Sequence, residues 1–123
     1  MESKRILIVD DDAELCDELA EVIREEGYTV ETTTNSVHGA GLIKKKWYDV
    51  VILDFKMPDM TAVDILKEIK GTDPRPTFIL LSGKPFVEEL IKQENLSGMV
   101  DAVFSKPFDY ALFLRKIRES CLK

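Results

Sequence analysis

Histidine occurs once in the 123 residues, tryptophan once and cysteine twice. Cys16 and Cys121 stand far apart, with no Cys-x-x-Cys pair and no metal-ligand spacing. That excludes a thiolate metal site and points to reduced thiols in a cytosolic protein. The lone His38 follows Asn35 at a helix start and reads as an exposed structural residue rather than a ligand or phosphocarrier. Basic residues are also short, 17 against 23 acidic for a net charge of −6, so the domain lacks the basic face that direct nucleic-acid binding needs. No apolar run is long enough to span a bilayer, and MESKR leads straight into a strand pattern without a signal peptide. The expectation is a cytoplasmic chain with no membrane contact. Repeats, low-complexity tracts and linkers are lacking too, so residues 1–123 are expected to form one domain. What the chain has is 45% hydrophobic residues beside 33% charged ones, enough apolar material for a full core and too much for a disordered segment.

The apolar residues fall into five short runs, Ile6–Val9, Thr29–Thr32, Val50–Leu53, Thr77–Leu81 and Val100–Phe104. ILIV, VVIL and TFILL are almost continuously apolar, as strands covered on both faces should be. Helical patterns separate the runs. The first spans Ala13 to Glu26 with Leu15, Leu19, Val22 and Ile23 on one stripe, and Gly27 follows at the position that ends helices. The second spans Val37 to Trp47, with Lys44, Lys45 and Lys46 near the end where the helix dipole favours cations. The third spans Ala62 to Lys70, the fourth Phe86 to about Gln93, and the fifth starts after Asp109 and runs to Cys121 with Phe113 or Leu114, Ile117 and Cys121 inward. Such alternation predicts an α/β fold, a doubly wound parallel sheet with helices on both faces. In such sheets ligands bind outside the carboxyl ends of the strands.

Those ends carry the unusual residues. Asp10 and Asp11 follow the first run, Asp54 the third, Ser82 the fourth and Lys106 the fifth. Each could be ordinary turn or capping chemistry alone. Brought to one sheet edge, they form three carboxylates, one hydroxyl and one ammonium. Carboxylates sharing a pocket repel unless a cation compensates them, and Mg²⁺ with oxygen ligands is the usual solution. Asp10 and Asp11 therefore read as a metal site, while Asp12 is free to cap the helix that follows. A phosphoryl group beside that metal would meet Lys106 and Ser82, and Asp54 is placed to attack phosphorus.

The pieces ILIVDDD, EEGY, VVILDFKMPDM, ILLSGKP and FSKPF, in this order and spacing, resemble the receiver domain of two-component response regulators over essentially the whole chain. The resemblance implies a flavodoxin-like (βα)5 fold of five parallel strands in the order 2-1-3-4-5. It implies Asp54 as phosphoacceptor, with Lys106 and Ser82 engaging the phosphate. It implies Mg²⁺, with Mn²⁺ as substitute, held by Asp11, Asp54, the backbone carbonyl of Lys56 and, through water, Asp10. The donor would be a histidine kinase or a histidine phosphotransfer protein. Lys106-Pro107 is expected to be cis, and the face of the fourth helix, fifth strand and fifth helix is expected to meet partners, including a second copy. The domain would be a signalling phosphoacceptor that assists its own phosphorylation and dephosphorylation, not an enzyme. Three positions depart from the family. Asp59-Met60-Thr61-Ala62 replaces a Gly-containing loop, Gly83 stands where Ala is common, and Val103 stands where Tyr, Phe or His usually serves as a switch.

Two other functions compete. Asp10-Asp11-Asp12 after ILIV also fits the start of a haloacid-dehalogenase-like phosphatase, with Asp10 as nucleophile and Asp12 as acid/base. That chemistry needs a further acidic motif after Lys106 and leaves Asp54 unused. A receiver-like docking module without phosphorylation is the other; Asp11, Asp54 and Lys106 argue against it.

Overall fold

Strand β1 (Arg5–Val9) leads into helix α1 (Ala13–Glu25), and the same alternation repeats through β2 (Thr29–Thr33), α2 (Ser36–Lys45), β3 (Val50–Asp54), α3 (Ala62–Ile69), β4 (Thr77–Ser82), α4 (Val87–Gln93), β5 (Val100–Ser105) and α5 (Tyr110–Cys121). This computed structural model describes residues 3–122. All strand pairs are parallel, and the sheet order is β2-β1-β3-β4-β5. The doubly wound sheet expected from the sequence is thus the observed fold. Among the described residues, no helix is long and apolar enough to cross a membrane.

The sheet separates two cores. Leu7, Val9, Val51, Leu53, Phe78 and Leu80 face α2, α3 and α4. Ile6, Ile8, Val50, Ile52, Ile79 and Leu81 face α1 and α5. Every residue of β3 is buried, which is why VVILD reads as a continuous apolar run that ends in a single acid.

Local signals set the helix ends. Asp12 caps α1 by accepting the Leu15 N–H, and Asn35 caps α2 by accepting the His38 N–H. Thr61 and Asp64 form a reciprocal capping box at α3. Gly27, at φ 97°, terminates α1 as expected.

Several boundaries differ from the sequence expectation. Helix α2 stops at Lys45 because Lys46 turns extended, and Trp47 leaves the helix half-exposed with its Nε1 donating to Asp49 Oδ1 at 3.2 Å. The buried stripe of α1 is Cys16, Leu19, Ala20 and Ile23, with Leu15 and Val22 only at its rim. Helix α4 begins at Val87, since Phe86 adopts φ 64°. In α5 the inward positions are Phe113, Ile117 and Ser120, while Leu114 and Cys121 are half-buried. His38 is exposed, as expected, and Cys16 lies in the core.

Candidate functional site

Hydrogen bonds between adjacent parallel strands hold their carboxyl ends level, so residues distant in sequence meet there. Asp10, Asp11 and Asp54 each place a carboxylate oxygen within 4.8 Å of the others. Lys106, from the loop after β5, reaches both acids that lie deepest: its Nζ is 2.9 Å from Asp10 Oδ2 and 3.1 Å from Asp54 Oδ1. The Lys106 backbone N–H donates to the Ser82 carbonyl at 2.8 Å, which pins the loop to β4. Lys106-Pro107 is cis, as expected; Asp73-Pro74 is a second cis bond.

Asp10 is fully buried and fully engaged. Its Oδ1 accepts the Asp12 N–H at 2.9 Å and its Oδ2 faces Lys106. A buried charge is tolerated only when paired and hydrogen-bonded in this way. Asp11 is exposed at the lip of the cluster, and Asp12 spends its carboxylate on the α1 cap. The phosphatase alternative fares badly on this geometry, since Asp10 is buried with both carboxylate oxygens already hydrogen-bonded and Asp12 caps a helix.

Asp54 is buried, and that burial, followed by the charge of Asp10, pushes its carboxyl up to about 6; Lys106 opposes the shift through its hydrogen bond and charge. Burial alone would lower Lys106, but the hydrogen bonds and charges of Asp10 and Asp54 outweigh it and hold the ammonium above its usual value. One ammonium therefore does not compensate three carboxylates. The donor set is all hard oxygen, the chemistry that Mg²⁺ prefers. The residues present fit such an ion.

Ser82 is buried, and its Oγ accepts the Lys84 N–H at 2.9 Å, which orders the SGKP turn. Lys56 and Lys84 are both exposed. Lys84 is lowered from its usual value by hydrogen bonding and charge from Lys56, which comes from a different loop. In the loop after β3, Asp59 takes φ 71° where the family often places glycine. A Cβ at Gly83 would meet nothing within 4 Å, so that departure follows from no steric need. Val103 packs on the α4 side of the sheet and lines an open cavity of about 540 Å³ with Ile91, Val100 and Ala102. Sequence reasoning did not find the Cys16 Sγ contact to the Asp10 carbonyl at 3.2 Å or the Ser36 Oγ bond to the Pro58 carbonyl at 2.8 Å. Both brace the site from helices, and neither has a local signal beyond a small polar residue near a helix start.

A parallel sheet in the order 2-1-3-4-5, with acids and a lysine gathered at its carboxyl edge, is the arrangement of a receiver-type signalling domain. The chain belongs to the response regulator receiver domain family, whose model matches residues 6–118. Sporulation initiation phosphotransferase F of Bacillus subtilis is 31% identical over 109 residues, covering 89% of this chain and 86% of that protein. The cell cycle transcriptional regulator CtrA of Caulobacter vibrioides is 29% identical over 104 residues, covering 85% of this chain but 44% of CtrA, so the chain spans less than half of that relative. Among solved structures, a CheY-like receiver domain protein from Methanospirillum hungatei superposes with TM-score 0.86 at 30% identity, covering 98% of this chain and 94% of that one. The response regulator TrrA of Thermotoga maritima, in complex with Mg²⁺ and BeF, superposes with TM-score 0.80 at 28% identity, covering 95% and 98%. Receiver domains are signalling domains of two-component systems; they bind Mg²⁺ at an acidic pocket and interact with histidine kinases or phosphotransfer proteins.

Proposed function

We propose that Asp54 is the phosphoacceptor of this receiver. The observation that carries the proposal is a buried carboxylate 3.1 Å from the Lys106 ammonium, within 4.8 Å of two further acids. A carboxylate oxygen of Asp54 attacks the phosphorus of a phosphohistidine on a histidine kinase or histidine phosphotransfer protein. The N–P bond breaks, imidazole leaves, and an acyl phosphate forms. Lys106 exchanges its Asp54 contact for a phosphoryl oxygen, and Ser82 offers its hydroxyl to another. Asp11, Asp54 and the carbonyl of Lys56 would hold Mg²⁺, or Mn²⁺ in its place, with Asp10 acting through water. The ion would neutralise charge on the transferred group. Phosphorylation then alters the face of α4, β5 and α5, where partners, including a second copy of the chain, would bind. The domain acts in the cytoplasm without contacting nucleic acid directly.

Intact-mass measurement after treatment with acetyl phosphate and Mg²⁺ tests this. Wild type should gain one phosphoryl group, and Asp54→Asn or omission of the divalent ion should abolish the gain. Equal labelling of both proteins would remove Asp54 from the role. A wild type that takes no label under any donor would leave a docking module as the function.

A further inference from the structure

The ladder between β4 and β5 breaks at one place. Phe78 pairs with Val100 and Ile79 with Ala102, so Asp101 opposes no residue of β4. That is a β-bulge, one extra residue in one strand. Side chains alternate faces along a strand, so an unbroken β5 would put Val100, Ala102 and Phe104 on the same face. Instead Val100 and Val103 pack on the core under α4, while Ala102 and Phe104 pack on the core under α1 and α5. The extra residue exchanges the faces of all that follows it. It sets the Phe104 ring edge-on to Phe113 with centroids 5.5 Å apart. It also brings Ser105 into register with Ser82, and Lys106 directly after it to the acid cluster.

Helix α5 holds the bulge. Ser120 Oγ donates to Asp101 Oδ2 at 2.6 Å, and Lys116 Nζ lies 3.4 Å from the same oxygen. Ser120 and Lys116 are four apart and so share the helix face turned to β5. Ser120 is buried and the Asp101 side chain is only 17% exposed, which separates this contact from solvent-screened surface pairs. A buried hydroxyl also requires a partner, and Asp101 supplies it.

We propose that Asp101 is a positioning residue: a bulge clamped by Ser120 and Lys116 of α5 that sets the β5 register delivering Lys106 to Asp54. The last turns of α5 are thereby tied to the opposite end of the sheet, and the functional part of the inference rests on Asp54 and Lys106 being the phosphoryl site. Amide hydrogen exchange on the full chain, in wild type, Asp101→Ala and Asp101→Asn, tests the link. Asn keeps an oxygen for the Ser120 hydroxyl and loses only the charge. The Lys106 amide, bonded to the Ser82 carbonyl, should exchange about tenfold faster in Asp101→Ala, near the wild-type rate in Asp101→Asn, with β1 and β2 amides unchanged in both. Labelling of Asp54 by acetyl phosphate and Mg²⁺ should fall several-fold in Asp101→Ala and recover in Asp101→Asn. An unchanged Lys106 amide in Asp101→Ala, equal acceleration in all strands, or an Asn variant no better than Ala would each overturn the proposal. If wild type takes no label at Asp54, the phosphoacceptor assignment fails on its own, and the exchange pattern still decides whether Asp101 positions Lys106.

Discussion

Lys106 Nζ stands 3.1 Å from Asp54 Oδ1 across 52 residues of chain, and the same ammonium stands 2.9 Å from Asp10. One cation thus serves two buried acids, and the cluster is short of positive charge.

The shortage should appear as a pH-dependent stability. Asp54 is pushed up to about 6 from the ordinary 3.8, first by burial and then by Asp10. Between those values the native state binds the proton more tightly than the unfolded chain does. Native stability therefore falls as pH rises from 3.8 to about 6, and stays lower above it. The loss is on the order of 3 kcal/mol. Asp54→Asn carries no charge, so it should be more stable than wild type at neutral pH and about equal near pH 4. Mg²⁺ should raise wild-type stability at neutral pH and much less below the Asp54 pKa. Urea unfolding across pH, with and without Mg²⁺, checks this; an Asn variant weaker than wild type at neutral pH contradicts it.

The phosphorylated state should be long-lived, hours rather than seconds. Hydrolysis needs water placed in line behind the phosphorus. In this family the side chains two past the phosphoacceptor and two past the Ser/Thr border that approach; here they are Lys56 and Lys84. Both are exposed, and Lys56 lowers Lys84 from its usual value. An ammonium only donates hydrogen bonds, so neither orients an attacking water as a carboxylate or amide would. Their exposed charge acts through high dielectric and adds little to transition-state stabilisation. Decay of phospho-Asp54 should be faster in Lys56→Asn and in Lys84→Glu; unchanged or slower decay in both refutes the idea.

The α4–β5–α5 face should mediate association. Leu112 is 55% exposed on α5, and Phe86 and Leu90 are 73% and 43% exposed at α4. Apolar side chains left outside the core on α4 and α5 are what a contact surface there would use. Sedimentation of the unmodified and beryllofluoride-treated domain should show self-association that Leu112→Glu weakens. Two monomeric states, with every partner interaction intact in Leu112→Glu, would count against this face.

Gly39→Ala should destabilise the fold although it improves helix propensity by about 1 kcal/mol. A Cβ there would lie 2.9 Å from both methyls of Val9 and 3.4 Å from the Thr33 methyl. Overpacking typically costs about 1–3 kcal/mol, which exceeds the gain. Combining the change with Val9→Ala should recover part of the loss, as a double-mutant cycle by urea unfolding will measure. Additive effects would show that the two positions do not touch.

The alternation of apolar runs with amphipathic stretches determined the layers and the parallel sheet, because burial on both faces forces continuous apolar strands. Strand ends carrying Asp10, Asp11, Asp54 and Lys106 pointed to a cluster that the structure brings together, since no core accepts such residues without a reason. Asp12, Asn35 and Gly27 announced helix ends through purely local chemistry. Tertiary structure alone decided the rest. Whether Lys106 would bridge Asp10 and Asp54 depends on the loop after β5 being pinned to the Ser82 carbonyl. Which of Leu15 and Cys16 enters the core depends on the rotation of α1, which the sheet beneath it sets. The bulge at Asp101 had no signal in VDAVF, because an extra strand residue is defined only by the partner strand it fails to meet and by the helix that holds it.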